Sequence, residues 1–303
     1  MSRRSWVPGF LLLAVIWGCS FAFIKIGLES LTVFQVASGR LVLGAATLLL
    51  ISLATRTRLP RRPRTWGHLL VVGAVTNAIP FTLFAYGEQH VTSVLAGLIN
   101  AATPLSTLAV ILVAFPEERP TRQRVIGMLL GFLGVVTLTG VWQGFSGGEA
   151  LGILACLGAI TCYGIGFPYS RRYLTSSGEG PLALATGQVL MGALLTLPLL
   201  LLTGTTPVGP LTPSVLISML LLGAFGSGVA FVLNFRIIQA AGSSVASTVT
   251  YLTPVVATVI GVLLLHEMLS WYEPVGGLIV VLGIAVSQGR LRLPHRVAAA
   301  AAD

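Results

Sequence analysis

The chain has 303 residues, 55% of them hydrophobic and only 9% charged, with a formal net charge of +9 and a mean hydropathy of +0.92. A soluble core at this length cannot hide that much apolar surface, so lipid is the expected surrounding. The basic balance does not read as nucleic-acid binding, because no clustered basic domain or recognised nucleic-acid fold accompanies it.

A hydrocarbon core of about 30 Å takes roughly 20 apolar residues per helix. Ten such stretches follow in chain order, near 7–28, 33–54, 67–87, 92–114, 122–141, 149–170, 182–203, 213–235, 243–265 and 272–289. With their ends numbered alternately, Arg3, Arg4, Arg56, Arg58, Arg61, Arg62, Arg64, Arg119, Arg122, Arg124, Arg171, Arg172, Arg236, Arg290, Arg292 and Arg296 fall on one side, leaving only Lys25 and Arg40 within spans. The positive-inside rule then places both termini in the cytoplasm of a bacterial-type inner membrane.

The first stretch follows Arg3-Arg4 and runs to Trp17-Gly18-Cys19, much as a lipoprotein signal peptide would. Trp17 is a poor neighbour for cleavage, so a retained helix is expected. Trp17, Phe21 and Lys25 recur every four residues, with Ser20 beside them. Lys25 lies near the outer end, where its side chain can snorkel to the interface; attraction of a substrate carboxylate is the alternative. Arg40 sits about 10 Å into the second stretch, and its expected role is to fix helix packing.

The third stretch places Asn77, Phe81 and Phe84 on one helical face, and the eighth repeats the spacing with Ser227, Phe231 and Asn234. Each face joins a polar group to an aromatic, which suits a cavity wall; interhelical packing is the alternative. The fourth stretch adds Asn100, Thr103 and Thr107, the ninth Thr250, Tyr251 and Pro254, and the sixth the aromatic pair Tyr163 and Phe167. Pro104 and Pro254 each remove a backbone hydrogen bond and predict a kink that serves as hinge, as binding site or simply as bundle shape.

Cys19, Cys156 and Cys162 lie inside spans, odd in number and without metal-ligand spacing, so neither a disulfide framework nor a metal site is expected. Glu29, Glu88, Glu117, Glu118, Glu149, Glu179, Glu267, Glu273 and Asp303 fall at span ends or in loops. With no acid deep in the membrane to relay protons, facilitated diffusion or exchange is expected ahead of proton coupling. His68, His90, His266 and His295 also sit at span ends, and no convergent acid, base and nucleophile emerge, so an enzyme is not expected, nor is any cofactor. A lipid-handling or sensory bundle without solute flux stands as a reading of a different class.

Residues 85–140 and 234–289 are two copies of one pattern. At an offset of 150, Phe81 matches Phe231, Ser93 Ser243, Ala96 Ala246, Thr103-Pro104 Thr253-Pro254, and Glu117 Glu267; at 149, Ile126-Gly127 and Leu133-Gly134 match Val275-Gly276 and Leu282-Gly283. The Gly-rich segment Trp142–Gly148 separates two halves, 1–145 and 146–303. Five spans in each half would insert them with opposite orientation, the inverted-repeat plan of many secondary transporters, around a central cavity. Gly127, Gly131 and Gly134, with Gly276 and Gly283, form small-residue faces that suit packing between halves or a weak homodimer of an otherwise monomeric chain.

Trp17 to Lys25, Gly39-Arg40-Leu41-Val42, Thr103-Pro104, Glu117 and the Ile126-Gly127 to Leu133-Gly134 segment resemble the repeated domain of the EamA family within the drug/metabolite transporter superfamily. The resemblance implies an all-α integral membrane carrier of ten helices that exports small metabolites, similar in character to that family's amino-acid exporters, aromatic ones included. Its expected partners are a small-molecule substrate and the bilayer. The candidate substrate-binding residues are Trp17, Ser20, Phe21, Asn77, Phe81, Phe84, Asn100, Tyr163, Phe167, Phe231, Asn234 and Tyr251, with Pro104, Pro254 and Arg40 as hinge or structural residues.

Overall fold

The computed structural model describes residues 6–114, 122–144, 146–241, 246, 248–287 and 291, and among these the chain is helical with no strand. The helices are α1 Val7–Gly27, α2 Val33–Ala54, α3 Pro63–His90, α4 Ser93–Asn100, α5 Thr103–Ala114, α6 Arg122–Leu138, α7 Gly147–Tyr173, α8 Pro181–Thr203, α9 Pro213–Ala240, α10 Thr253–Leu265 and α11 Tyr272–Ser287. Local chemistry sets their starts. Thr32 accepts from the backbone N–H of Gln35 in a reciprocal capping box, and Thr92, Ser146 and Thr212 cap α4, α7 and α9 through their hydroxyls. Proline occupies the first turn of α1, α3, α8, α9 and α10, where its missing N–H has no intrahelical partner to lose.

Seven apolar helical segments are long enough to cross a membrane, and three shorter apolar ones cover Val125–Leu138, Val249–Leu265 and Tyr272–Val286. Leu53, Leu202 and Leu263 are 77%, 84% and 70% exposed on the outside of the bundle. Such a surface is stable in lipid and adhesive in water. The chain is a multi-pass integral membrane protein.

Two expectations about helix shape are corrected. Pro104 and Pro254 do not kink continuous helices: the fourth stretch breaks at Ala101-Ala102, the ninth has a 3-10 turn at Thr248–Tyr251, and α5 and α10 start afresh at Thr103 and Thr253. Thr103 donates to the carbonyl of Asn100 (2.7 Å) and Thr253 to that of Thr250 (3.2 Å), so each break is bridged by the same side-chain bond. The third and eighth stretches instead carry π-helical segments, Ala74–Ala78 in α3 and Leu222–Val229 in α9.

Packing recurs between the two copies. A Cβ at Gly18 would strike Val256, and one at Gly164 would strike Ser106; one at Gly44 would meet Ser227 and Gly223, and one at Gly192 would meet Asn77 and Gly73. On α6 and α11, Gly134 lies against Gly276 and Val280, while Gly283 lies against Gly127 and Gly131. Small residues allow backbones to approach closely where lipid supplies no hydrophobic drive between helices. The glycine faces of α6 and α11 are thus spent on each other. The sequence boundary at residue 145 lies outside the described residues, as do Phe115, Glu117, Glu118, Ser243, Asp303 and the terminal arginines.

Candidate substrate cavity

A cavity of about 70 Å³ lies among the helices of the bundle. Trp17, Ser20, Phe21 and Ile24 face it from α1, Arg40 from α2, and Thr76, Phe81 and Phe84 from α3. Asn100 comes from α4, Tyr163 and Phe167 from α7, Phe231 from α9 and Thr250 from the turn before α10. Both copies of the repeat therefore contribute walls.

The walls are aromatic. Trp17 meets Phe231 edge to face at 6.0 Å, and Phe231 meets Phe81 at 6.4 Å. On the other side Phe21 packs edge to face on Phe84 at 5.5 Å, Phe84 lies 6.1 Å from Tyr163, and Tyr163 lies 6.0 Å from Phe167. Edge-to-face pairs are favoured because a ring's positive edge meets its neighbour's negative face. Much of the polar capacity in the walls is already used. Ser20 donates to the carbonyl of Ile16, Thr76 donates to that of Val72 and accepts from Gln188, and Asn100 Oδ1 accepts from Thr103.

Nine of the twelve residues expected to bind substrate line this cavity: Trp17, Ser20, Phe21, Phe81, Phe84, Asn100, Tyr163, Phe167 and Phe231. Asn77, Asn234 and Tyr251 do not. Asn77 is fully buried beside α8, where its Oδ1 accepts from Gln188 Nε2 at 2.7 Å. Its displacement has a physical cause: a π turn carries five residues where an α turn carries four, so Thr76, five before Phe81, takes the place beneath the ring. Gly226, five before Phe231, stands likewise in α9, and Ser227 turns to Arg40. Asn234 is buried with its Oδ1 unpartnered, while Tyr251 and Pro254 line a separate, more apolar groove with Leu98 and Leu278.

Three charged residues are partly or fully buried in the bundle. Lys25 is not among the residues that line the cavity: its Nζ donates to the carbonyls of Glu88 (2.6 Å) and Val91 (2.9 Å), closing the C-terminus of α3. Arg40 ties α2 to α9 as a packing residue would, its Nε donating to Ser227 Oγ at 3.0 Å, and it also lines the cavity with its guanidinium carbon 3.6 Å from the Phe81 ring centre. Glu88 is near the end of α3, as its position implied, yet it is fully buried and neither carboxyl oxygen has a hydrogen-bond partner. A position near a span end therefore does not leave this carboxyl in contact with solvent. Glu267, by contrast, is satisfied by the N–H groups of Ser93 and Val94 and the Ser93 hydroxyl, a carboxylate at a helix N-terminus where the dipole favours it.

Thr76 could be found only by anticipating the π turn. Arg40 carried the stronger signal, since an intramembrane cation is a functional-site candidate by default.

An enclosed aromatic cavity amid membrane-spanning helices is the arrangement of a small-molecule carrier. The chain belongs to the EamA-like transporter family, whose model matches residues 4–140 and 150–288. It is 25% identical over 288 residues to the uncharacterized transporter YdfC of Bacillus subtilis (strain 168), covering 93% of this chain and 90% of that one. It is 28% identical over 302 residues to the uncharacterized inner membrane transporter YedA of Escherichia coli (strain K12), covering 94% and 91%. A solved crystal structure shares the fold, with a TM-score of 0.68, 21% identity, and 96% and 100% coverage. The protein is a membrane transporter, and a transporter handles small-molecule substrates across a lipid bilayer.

Proposed function

We propose that the protein carries amino acids with apolar or aromatic side chains across a bacterial-type inner membrane, in the export direction, by alternating access. The observation that carries this reading is the ring-lined cavity, whose aromatic walls suit an apolar side chain and whose few polar groups suit a small polar head. The recurrence of packing contacts at fixed sequence offsets supports halves 1–145 and 146–303 with five spans each, inserted with opposite orientation and with both termini cytoplasmic. Rocking of one half against the other would then open the cavity to either side. Counterflow of labelled amino acids in proteoliposomes tests the reading: exchange of phenylalanine, tryptophan or leucine supports it, and exchange of none of the twenty amino acids overturns it.

A second reading is favoured by Glu88. A buried carboxyl without hydrogen-bond donors is costly as an anion, and such groups in carriers serve as proton sites. On this reading efflux is coupled to proton entry, with Glu88 rather than a cavity-lining residue as the coupling group.

A further inference from the structure

Among the described residues that line the cavity, Arg40 is the single charged one. Its guanidinium offers five N–H donors in a planar fork. One is used, the Nε bond to Ser227, and among the described residues no other bond or ion pair to Arg40 occurs. Glu88 lies within electrostatic reach, but its oxygens accept no hydrogen bond from Arg40 or any other group. A charge that is 4% exposed and lacks an ion-pair partner is expensive unless something anionic completes it.

The surroundings hold the fork ready. Phe81 covers one face of the guanidinium at 3.6 Å, a cation–π contact that fixes its plane. A positive charge is not needed merely to clamp the helices here. At the matching place in the other half, Gln188 of α8 bonds Asn77 of α3 with a neutral amide, just as Arg40 of α2 bonds Ser227 of α9.

We propose that Arg40 is the anion anchor of the cavity, binding the carboxylate of a substrate whose apolar or aromatic body lies among Trp17, Phe21, Phe84 and Tyr163. The pairing suits arginine, whose fork matches a carboxylate with two parallel hydrogen bonds. Among the described residues no acidic side chain lines the cavity to balance a substrate ammonium. The carboxylate is thus the required group and the amine is dispensable. The inference rests on the carrier reading given above and names the part of the substrate that is recognised.

The test is calorimetric titration of the purified full-length protein with L-phenylalanine, 3-phenylpropanoate and 2-phenylethylamine, repeated on Arg40→Gln and Arg40→Lys. Wild-type protein should bind both carboxylates, with the amine at least tenfold weaker. Arg40→Gln should weaken both carboxylates at least tenfold, a change worth about 1.4 kcal/mol, and leave the amine unmoved; Arg40→Lys should fall between. Equal wild-type affinity for amine and acid, no binding of either acid, or undiminished carboxylate affinity in a folded Arg40→Gln protein would overturn the anchor. Should neither variant fold, the wild-type ranking of the three probes still decides. Binding of 3-phenylpropanoate without any amino acid would keep the anchor and remove the amino-acid reading; phenylalanine counterflow inhibited equally by acid and amine would do the reverse.

Discussion

Arg40 and Gln188 occupy corresponding places in the two copies of the repeat and differ by one charge. Each reaches from its helix to the π-helical segment of a helix in the other half: Arg40 Nε to Ser227 Oγ at 3.0 Å, Gln188 Nε2 to Asn77 Oδ1 at 2.7 Å. The Gln188 pair is buried in packed structure, whereas Arg40 faces the cavity. A near-symmetric frame thereby acquires an asymmetric site.

Truncating the cavity walls should weaken substrate without unfolding the bundle. Phe81→Ala and Tyr163→Ala are each expected to raise the Kd for the best amino-acid substrate about tenfold, or about 1.4 kcal/mol, by removing ring contact in a space that is already open. Trp142→Ala is the control, since Trp142 is 52% exposed and packs with Trp271 and Tyr272 away from the cavity. Equal loss in all three proteins would show that the effect is general destabilisation.

On the proton-coupled reading, an imposed pH gradient should accelerate substrate flux in proteoliposomes, and Glu88→Gln should remove that acceleration while keeping counterflow at equal pH. The variant substitutes an amide of similar shape for a carboxyl whose oxygens have no partner, so its melting temperature should not fall. Wild-type flux indifferent to the gradient would eliminate the coupled reading and leave exchange or facilitated diffusion.

The contact of α6 with α11 should be intolerant of added volume. A Cβ at Gly276 would run into the backbone of Leu138, whereas Gly67 has nothing within 4 Å of the same position. Gly276→Ala is expected to destabilise by about 1–3 kcal/mol, as overpacking usually does, and Gly67→Ala to change little. Thermal unfolding in detergent measures both, and equal melting temperatures would mean that α6 and α11 separate freely.

Topology is open to labelling. Single cysteines at Arg61 and Gly147, both exposed positions at helix starts, should react with an impermeant maleimide from opposite faces of the membrane in a background where the three native cysteines are replaced. Reaction of both from the same face would end the ten-span reading.

The sequence by itself determined the membrane class, the apolar segments and the repeat. These depend on composition, span length and residue identities at fixed offsets, all of which lie along the chain. It also indicated most of the cavity wall, because aromatic residues four apart, such as Trp17 and Phe21, share one helical face wherever that helix packs. Tertiary structure decided the rest. The π turns replace Asn77 by Thr76 at the cavity, since one extra residue per turn rotates every earlier side chain away from the face that α-helical spacing assigns. The surroundings of Lys25 and Glu88 were out of reach: a charge near a span end can meet the interface, a helix terminus or a void, and only the neighbours brought by other helices choose among them. Lys25 found two free carbonyls, Glu88 no donor, and Arg40 an aromatic face with its fork left open.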